Sequence, residues 1–178
     1  MRISEALAML DRMKKLLAVA CVILIVAGVS IAQQQQQGVG LGVEAGATFP
    51  QGQPESLDIQ DWEPSFSWGF YVNIPLIRSF HITPSARLYK LNGENTTDVD
   101  LGFKFIVPLS GMNLYAGFTP GITTVSDVTA PHVGLVGGTS FDLVSNLDLF
   151  AQGTYQISFT ENRNFRILNL GAGVLFEF

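Results

Sequence analysis

Cysteine is nearly missing from this chain, which carries a single thiol, Cys21, in 178 residues. A fold stapled by disulfides or built on a thiolate metal site is therefore excluded, and packing and backbone pairing must hold the structure alone. Charge is sparse as well: Asp, Glu, Lys and Arg make up 14% of the chain, with a net charge of −5. Nucleic-acid binding rests on neutralising phosphates with basic side chains, so that partner class is excluded. Long apolar runs are short of what a spanning helix needs. The longest, Leu16–Val29, has 14 residues against the roughly 18 that mark a transmembrane helix. No helix-period pattern occurs beyond residue 37.

What the N-terminus does have is a basic start, Lys14-Lys15, then the apolar run, then Ser30-Ile31-Ala32 with small residues at the first and third places. That order is the layout of a secretory signal peptide spanning 1–32 and cleaved after Ala32. Met13 is an alternative start, which would leave 1–12 as an upstream extension. An uncleaved anchor is one competing reading. A lipoprotein modified at Cys21 is another, but only Leu16 and Leu17 separate Lys15 from the small Ala18-Val19-Ala20 triplet before it. Arg2, Arg12, Lys14 and Lys15 would leave with the leader, against only two acids, Glu5 and Asp11, so the mature chain is more acidic than the whole. Residues 33–37 are a glutamine tract with no apolar face, expected to be a flexible lead-in.

From 38 to 178 the residues alternate with a period of two, the mark of strands with one apolar and one polar face. Turn-rich breaks divide this single domain into eight strands, expected near 38–49, 65–74, 79–90, 98–108, 113–123, 132–143, 146–157 and 165–178. Each is close to the 9–11 residues that a tilted strand needs to cross a bilayer. The breaks at 75–78, 109–112 and 144–145 are tight, and those at 50–64, 91–97, 124–131 and 158–164 are longer. Tight turns at one end and loops at the other predict an all-β fold: an eight-stranded antiparallel up-and-down transmembrane β-barrel, with both termini on the turn side.

One parity is bulky and uncharged, as in Phe66, Trp68, Phe70, Val72 and Ile74, or Val99, Leu101, Phe103, Phe105 and Val107. The other holds Glu44, Arg87, Asp100, Lys104 and Gln152 together with many glycines, Gly42, Gly117, Gly138 and Gly173 among them. An eight-stranded barrel is only just wide enough inside for side chains. The small and polar parity is therefore expected inside and the bulky one against lipid; a secreted soluble lipocalin-like binder is the inverted alternative. Phe49, Phe66 and Trp68 at the loop rim, with Phe80, Phe176 and Phe178 at the turn rim, are expected to form the two aromatic girdles.

The last strand, Leu168-Asn-Leu-Gly-Ala-Gly-Val-Leu-Phe-Glu-Phe178, and the segment Asn113-Leu-Tyr-Ala-Gly-Phe-Thr-Pro-Gly121 resemble small bacterial outer-membrane β-barrel proteins of the OmpA/OmpX type. The resemblance covers 38–178. It implies an integral outer-membrane protein with periplasmic termini, in contact with lipid and lipopolysaccharide. It also implies recognition by the outer-membrane assembly machinery through the strand ending in Phe178. No peptidoglycan-binding domain follows, so that role of longer family members is not implied.

Charges inside a barrel need partners. Glu44, Arg87, Asp100 and Lys104 are expected to form a lumen salt-bridge network that closes the barrel. The resulting role is structural or surface-interactive: envelope integrity, adhesion or loop display, by a monomer. The alternative is a narrow pore for small polar solutes, lined by the inward glycines. His132, with Ser126 and Asp127 nearby in sequence, is the weak trace of a hydrolytic site; a rim loop carries such residues by composition, and no enzyme activity is expected. Glu55, Asp58, Asp61 and Glu63, interleaved with Leu57 and Trp62, make the first loop acidic. They lack the spaced oxygen ligands and glycine turn of a calcium loop, so no metal is assigned, and no cofactor is implied.

Overall fold

In a computed structural model, the described residues are 38–51, 63–91, 93–126, 128–159 and 164–178. The signal peptide, the glutamine tract, most of the acidic loop (Glu55, Leu57, Asp58, Asp61, Trp62) and Asp127 lie outside them. Eight strands follow in order: β1 (Gly40–Gln51), β2 (Ser65–Ile77), β3 (Phe80–Leu91), β4 (Glu94–Leu109), β5 (Met112–Val125), β6 (Val128–Val144), β7 (Leu147–Phe159) and β8 (Asn164–Glu177). Each pairs antiparallel with its sequence neighbours, and β1 pairs with β8 from Gly40↔Glu177 to Gln51↔Arg166, closing the barrel. Beyond that seam the Phe178 amide donates to the Val39 carbonyl at 3.0 Å, so the chain's last residue still takes part in closure. Closure leaves no open edge, which is what hydrocarbon demands of a sheet.

β2 and β4 to β7 are longer than the sequence pattern suggests, and two of the four expected loops vanish. Residues 92–93 alone separate β3 from β4, and 126–127 alone separate β5 from β6. Both connections are tight: Gly93 has φ 83° and Ser126 φ 49°, positive values of the kind that short hairpin turns use. The polar residues Glu94 to Thr97 and Thr124, which looked like loop, are paired ladder residues. At the opposite end 78–79, 110–111 and 145–146 are tight, as expected, with Gly111 at φ 77°. The remaining loop-side connections are 52–64 and 160–163.

Prolines mark where the ladder lapses, because a proline has no N–H to donate. The β2–β3 register breaks off between Tyr71↔Ser85 and Ile74↔Ile82, around Pro84. That of β4–β5 breaks off between Asp100↔Gly121 and Phe103↔Phe118, around Pro120. A bulge between Asp142 and Val144 leaves Asp142, Leu143 and Val144 all exposed at the turn-side rim, so Asp142 does not join the lumen.

The alternation resolves as bulky outside and polar inside. Val43, Phe70, Phe105, Leu135 and Val174 are exposed, whereas Glu44, Thr48, Arg87, Asp98, Lys104 and Gln156 are buried. This is the reverse of a soluble lipocalin-like barrel. The outer face carries an aromatic ladder across three strands: Phe103 stacks on Phe118 at 4.9 Å, and Phe80 packs on Phe105 at 4.9 Å. Of the six expected girdle residues, Phe66, Trp68, Phe176 and Phe178 are exposed and Phe49 and Phe80 half-buried. Phe176 and Phe178 meet edge-to-face at 4.9 Å where the barrel closes.

Candidate functional site

The lumen is built in three tiers, each dictated by the inward parity. At the loop end that parity turns apolar: Tyr89 and Leu91 on β3 pack with Phe165 and Ile167 on β8, with Val125 against them. The alternation predicts polar or small inward positions throughout, and this apolar cap departs from it. Its signal was there, because Tyr89 and Leu91 share parity with Arg87, and Phe165 and Ile167 with Asn169.

Below the cap lies a dense polar tier centred on the Thr123 hydroxyl. It donates to Asp98 Oδ1 at 2.7 Å and meets His132 Nδ1 at 2.9 Å. The Tyr89 hydroxyl also donates to Asp98, at 3.1 Å. His132 Nε2 reaches Asp100 Oδ1 at 2.5 Å, both groups being buried. Gln156 donates to Thr123 and accepts from Asn169, which accepts in turn from Thr48 at 2.6 Å. Register explains the convergence: Thr123 pairs with Asp98 on β4 and with Ala130 on β6, one inward position from His132, which itself pairs with Ser158 on β7. His132 is thus a lumen residue rather than a rim one. Ser126, its suggested companion, instead donates to exposed Glu94 at 2.7 Å.

At mid-height Arg87 Nε donates to Glu44 Oε1 at 2.8 Å, and Gln152 Nε2 donates to Glu44 Oε2 at 2.6 Å. Lys104 donates to Gln152 Oε1 at 3.1 Å, with its ammonium 4.8 Å from the Tyr71 ring centroid and 4.7 Å from that of Tyr115. The four charged residues of the expected network are all buried, but only Arg87 and Glu44 pair with each other. Asp100 turns to His132, because its register partner on β3 is Ser85 and that of Arg87 is Asp98. Among the described residues no carboxylate contacts Lys104; an amide oxygen and two ring faces hold it. The void among these groups is about 20 Å³, little more than the ~10–15 Å³ that one water occupies.

Glycines make room for the rings. A side chain at Gly42 would run into the ring of Tyr71, and one at Gly138 into that of Tyr115. Gly42→Val is accordingly expected to displace Tyr71 and cost about 1–3 kcal/mol, the range for overpacking a filled interior. Urea unfolding in detergent measures it, and adding Tyr71→Ala to Gly42→Val should recover part of the loss.

Beneath Lys104 the lumen opens into a cavity of about 360 Å³ at the turn end, lined from β2 to β8, from Gly38 just before β1 and from Arg78 in the β2–β3 turn. Tyr71, Phe150 and Leu175 pack together in its wall, with Phe150 edge-on to Tyr71 at 5.2 Å.

An apolar outer surface and a filled polar lumen in eight up-and-down strands define the fold of small outer-membrane β-barrels. Among solved structures the chain is similar to Neisserial surface protein A, with 16% identity and a TM-score of 0.66 over 79% of this chain and 97% of that one. It is also similar to outer membrane protein H of P. aeruginosa, solved in DHPC micelles, with 14% identity and a TM-score of 0.53 over 79% and 99%. A de novo designed transmembrane β-barrel matches at 10% identity and a TM-score of 0.50 over 80% and 97%. No family model and no curated protein matches the chain. At these identities the likeness is one of fold, and fold alone does not assign a role.

Proposed function

We propose that this protein is an integral barrel of a bacterial outer membrane whose role is structural or surface-interactive rather than conductive. In this reading residues 1–32 direct export and are removed, both termini face the periplasm, and the monomer contacts lipid and lipopolysaccharide through its apolar belt. The strand ending in Phe178 is the segment offered to the assembly machinery. No enzymatic role is proposed: His132 is committed to Asp100 and Thr123 inside the lumen, and Ser126 to Glu94 at the rim.

The observation that carries the closed reading is the lumen's filling. A mid-height void of about 20 Å³ beneath an interlocked polar tier and an apolar cap leaves no continuous water column for a solute to follow. The space over two of the inward glycines, Gly42 and Gly138, is taken by the rings of Tyr71 and Tyr115, and that over Gly117 and Gly173 by neighbouring backbone. Refolded protein in planar bilayers near neutral pH is expected to give no stable unitary conductance; reproducible channel steps would overturn the closed reading and favour the narrow pore. The fold's partnership with lipid is tested separately, by whether the leaderless protein stays dispersed only in detergent or vesicles.

A further inference from the structure

We infer that the turn-end cavity is a blind binding pocket for a small zwitterion, an amino acid or short peptide with a free ammonium and a free carboxylate. Its volume of about 360 Å³ falls within the ~300–1,000 Å³ of small-molecule sites. It differs from the rest of the lumen in one respect: its charges are not paired with one another. Among the described residues, Lys104 closes the inner end with no carboxylate in contact, and the Arg78 guanidinium stands exposed at the mouth with no hydrogen-bonding or ionic partner. Across the barrel, Asp148 on β7 and Glu177 on β8 line the same cavity, and neither makes a side-chain hydrogen bond or ion pair among the described residues.

Strand order keeps the two signs apart. Arg78 and Lys104 come from the β2–β3 turn and β4, while Asp148 and Glu177 come from β7 and β8, on the opposite side of the circle. A closed barrel cannot fold these walls together, so water or an entering molecule, and not the opposite wall, meets each of them. A ligand of one sign would satisfy one wall and be repelled by the other. A molecule with its two charges at separate ends satisfies both, with Tyr71, Tyr115 and Phe150 offering apolar surface between them. Asn73, whose Oδ1 lies 3.0 Å from His81 Nδ1, adds an amide beside the basic wall. The pocket lies beyond the lumen plug and rests on the closed reading only for being blind; conductance tests that reading, and binding tests this one.

The experiment is titration of the refolded full chain in detergent micelles with dialanine, N-acetyl-dialanine and dialanine amide, followed by amide NMR shifts. Saturable shifts with dialanine at residues around Lys104, Asn113 and Asp148 are expected. Each capped peptide should bind about tenfold more weakly, one charge-assisted hydrogen bond being worth at least ~1.4 kcal/mol. Asp148→Asn with Glu177→Gln should weaken dialanine about tenfold and leave the acetylated peptide unchanged; Arg78→Gln should do the converse with the amide. All three substitutions lie at the cavity mouth, and native spectra report that the barrel has folded. No saturable shift, equal binding of all three peptides, preference for either capped form, or indifference to the substitutions would each overturn the proposal.

Discussion

Arg87→Met is expected to destabilise the folded barrel by about 3–5 kcal/mol, the range for removing one member of a buried ion pair. The cost arises from what is left behind. Glu44 Oε1 loses its charged donor while Gln152 continues to hold Oε2, so a carboxylate remains buried against a neutral side chain. Both partners are buried, with side-chain exposures of 9% each, so solvent cannot take over the role of the guanidinium. Glu44→Gln together with Arg87→Met removes the orphaned charge and should recover most of the loss. Urea unfolding in vesicles, followed by tryptophan fluorescence, measures all three variants. A single-variant cost below about 1 kcal/mol, the scale of an exposed pair, would mean that water reaches the mid-lumen.

The second large effect concerns the outer face. Leu135 is 67% exposed near the middle of β6, where lipid rather than water is expected to meet it. Leu135→Lys should then cost about 2–4 kcal/mol in a bilayer, the penalty for a cation on the lipid face near the midplane. The same change at exposed Glu63, before β2, should cost close to nothing. In a water-soluble barrel the ranking would collapse, because a lysine replacing an exposed leucine is harmless in water. Equal stabilities for the two variants in vesicles would therefore refute the membrane placement. Loss of the Leu135 variant's ability to insert would sharpen it.

The architecture was legible because the alternation is strong and a closed barrel has one inside and one outside. Val133, Leu135 and Phe141 against Gly134, Ser140 and Gln152 decide orientation without reference to any partner strand. Hairpin chemistry was harder to see. Asn92-Gly93 is among the strongest short turn signals, but polar Glu94, Asn95, Thr96 and Thr97 after it mimic a loop, and strand ends projecting past a membrane carry polar residues for the same reason loops do. Lumen pairing was not legible at all. Which acid meets Arg87 depends on register and on reach across the barrel: Glu44 lies 43 positions away on β1, whereas Asp98 is its direct neighbour on β4. His132 looked like a rim residue only because β6 was expected to begin there; once the strand starts at Val128, its parity points it inward.

The two-residue hairpins over β3–β4 and β5–β6 leave that end of the cylinder with very uneven relief. If that end faces outward, as the proposed orientation has it, the chain available to an antibody or phage there is chiefly the connection between Gln51 and Ser65, with the shorter one at 160–163. Change of sequence in that stretch carries no register cost, since the strands on either side are fixed by their own ladders. It is the natural address for variation in the wild and for a grafted epitope in the laboratory, whereas an insertion at 92–93 or 126–127 would have to rebuild a turn.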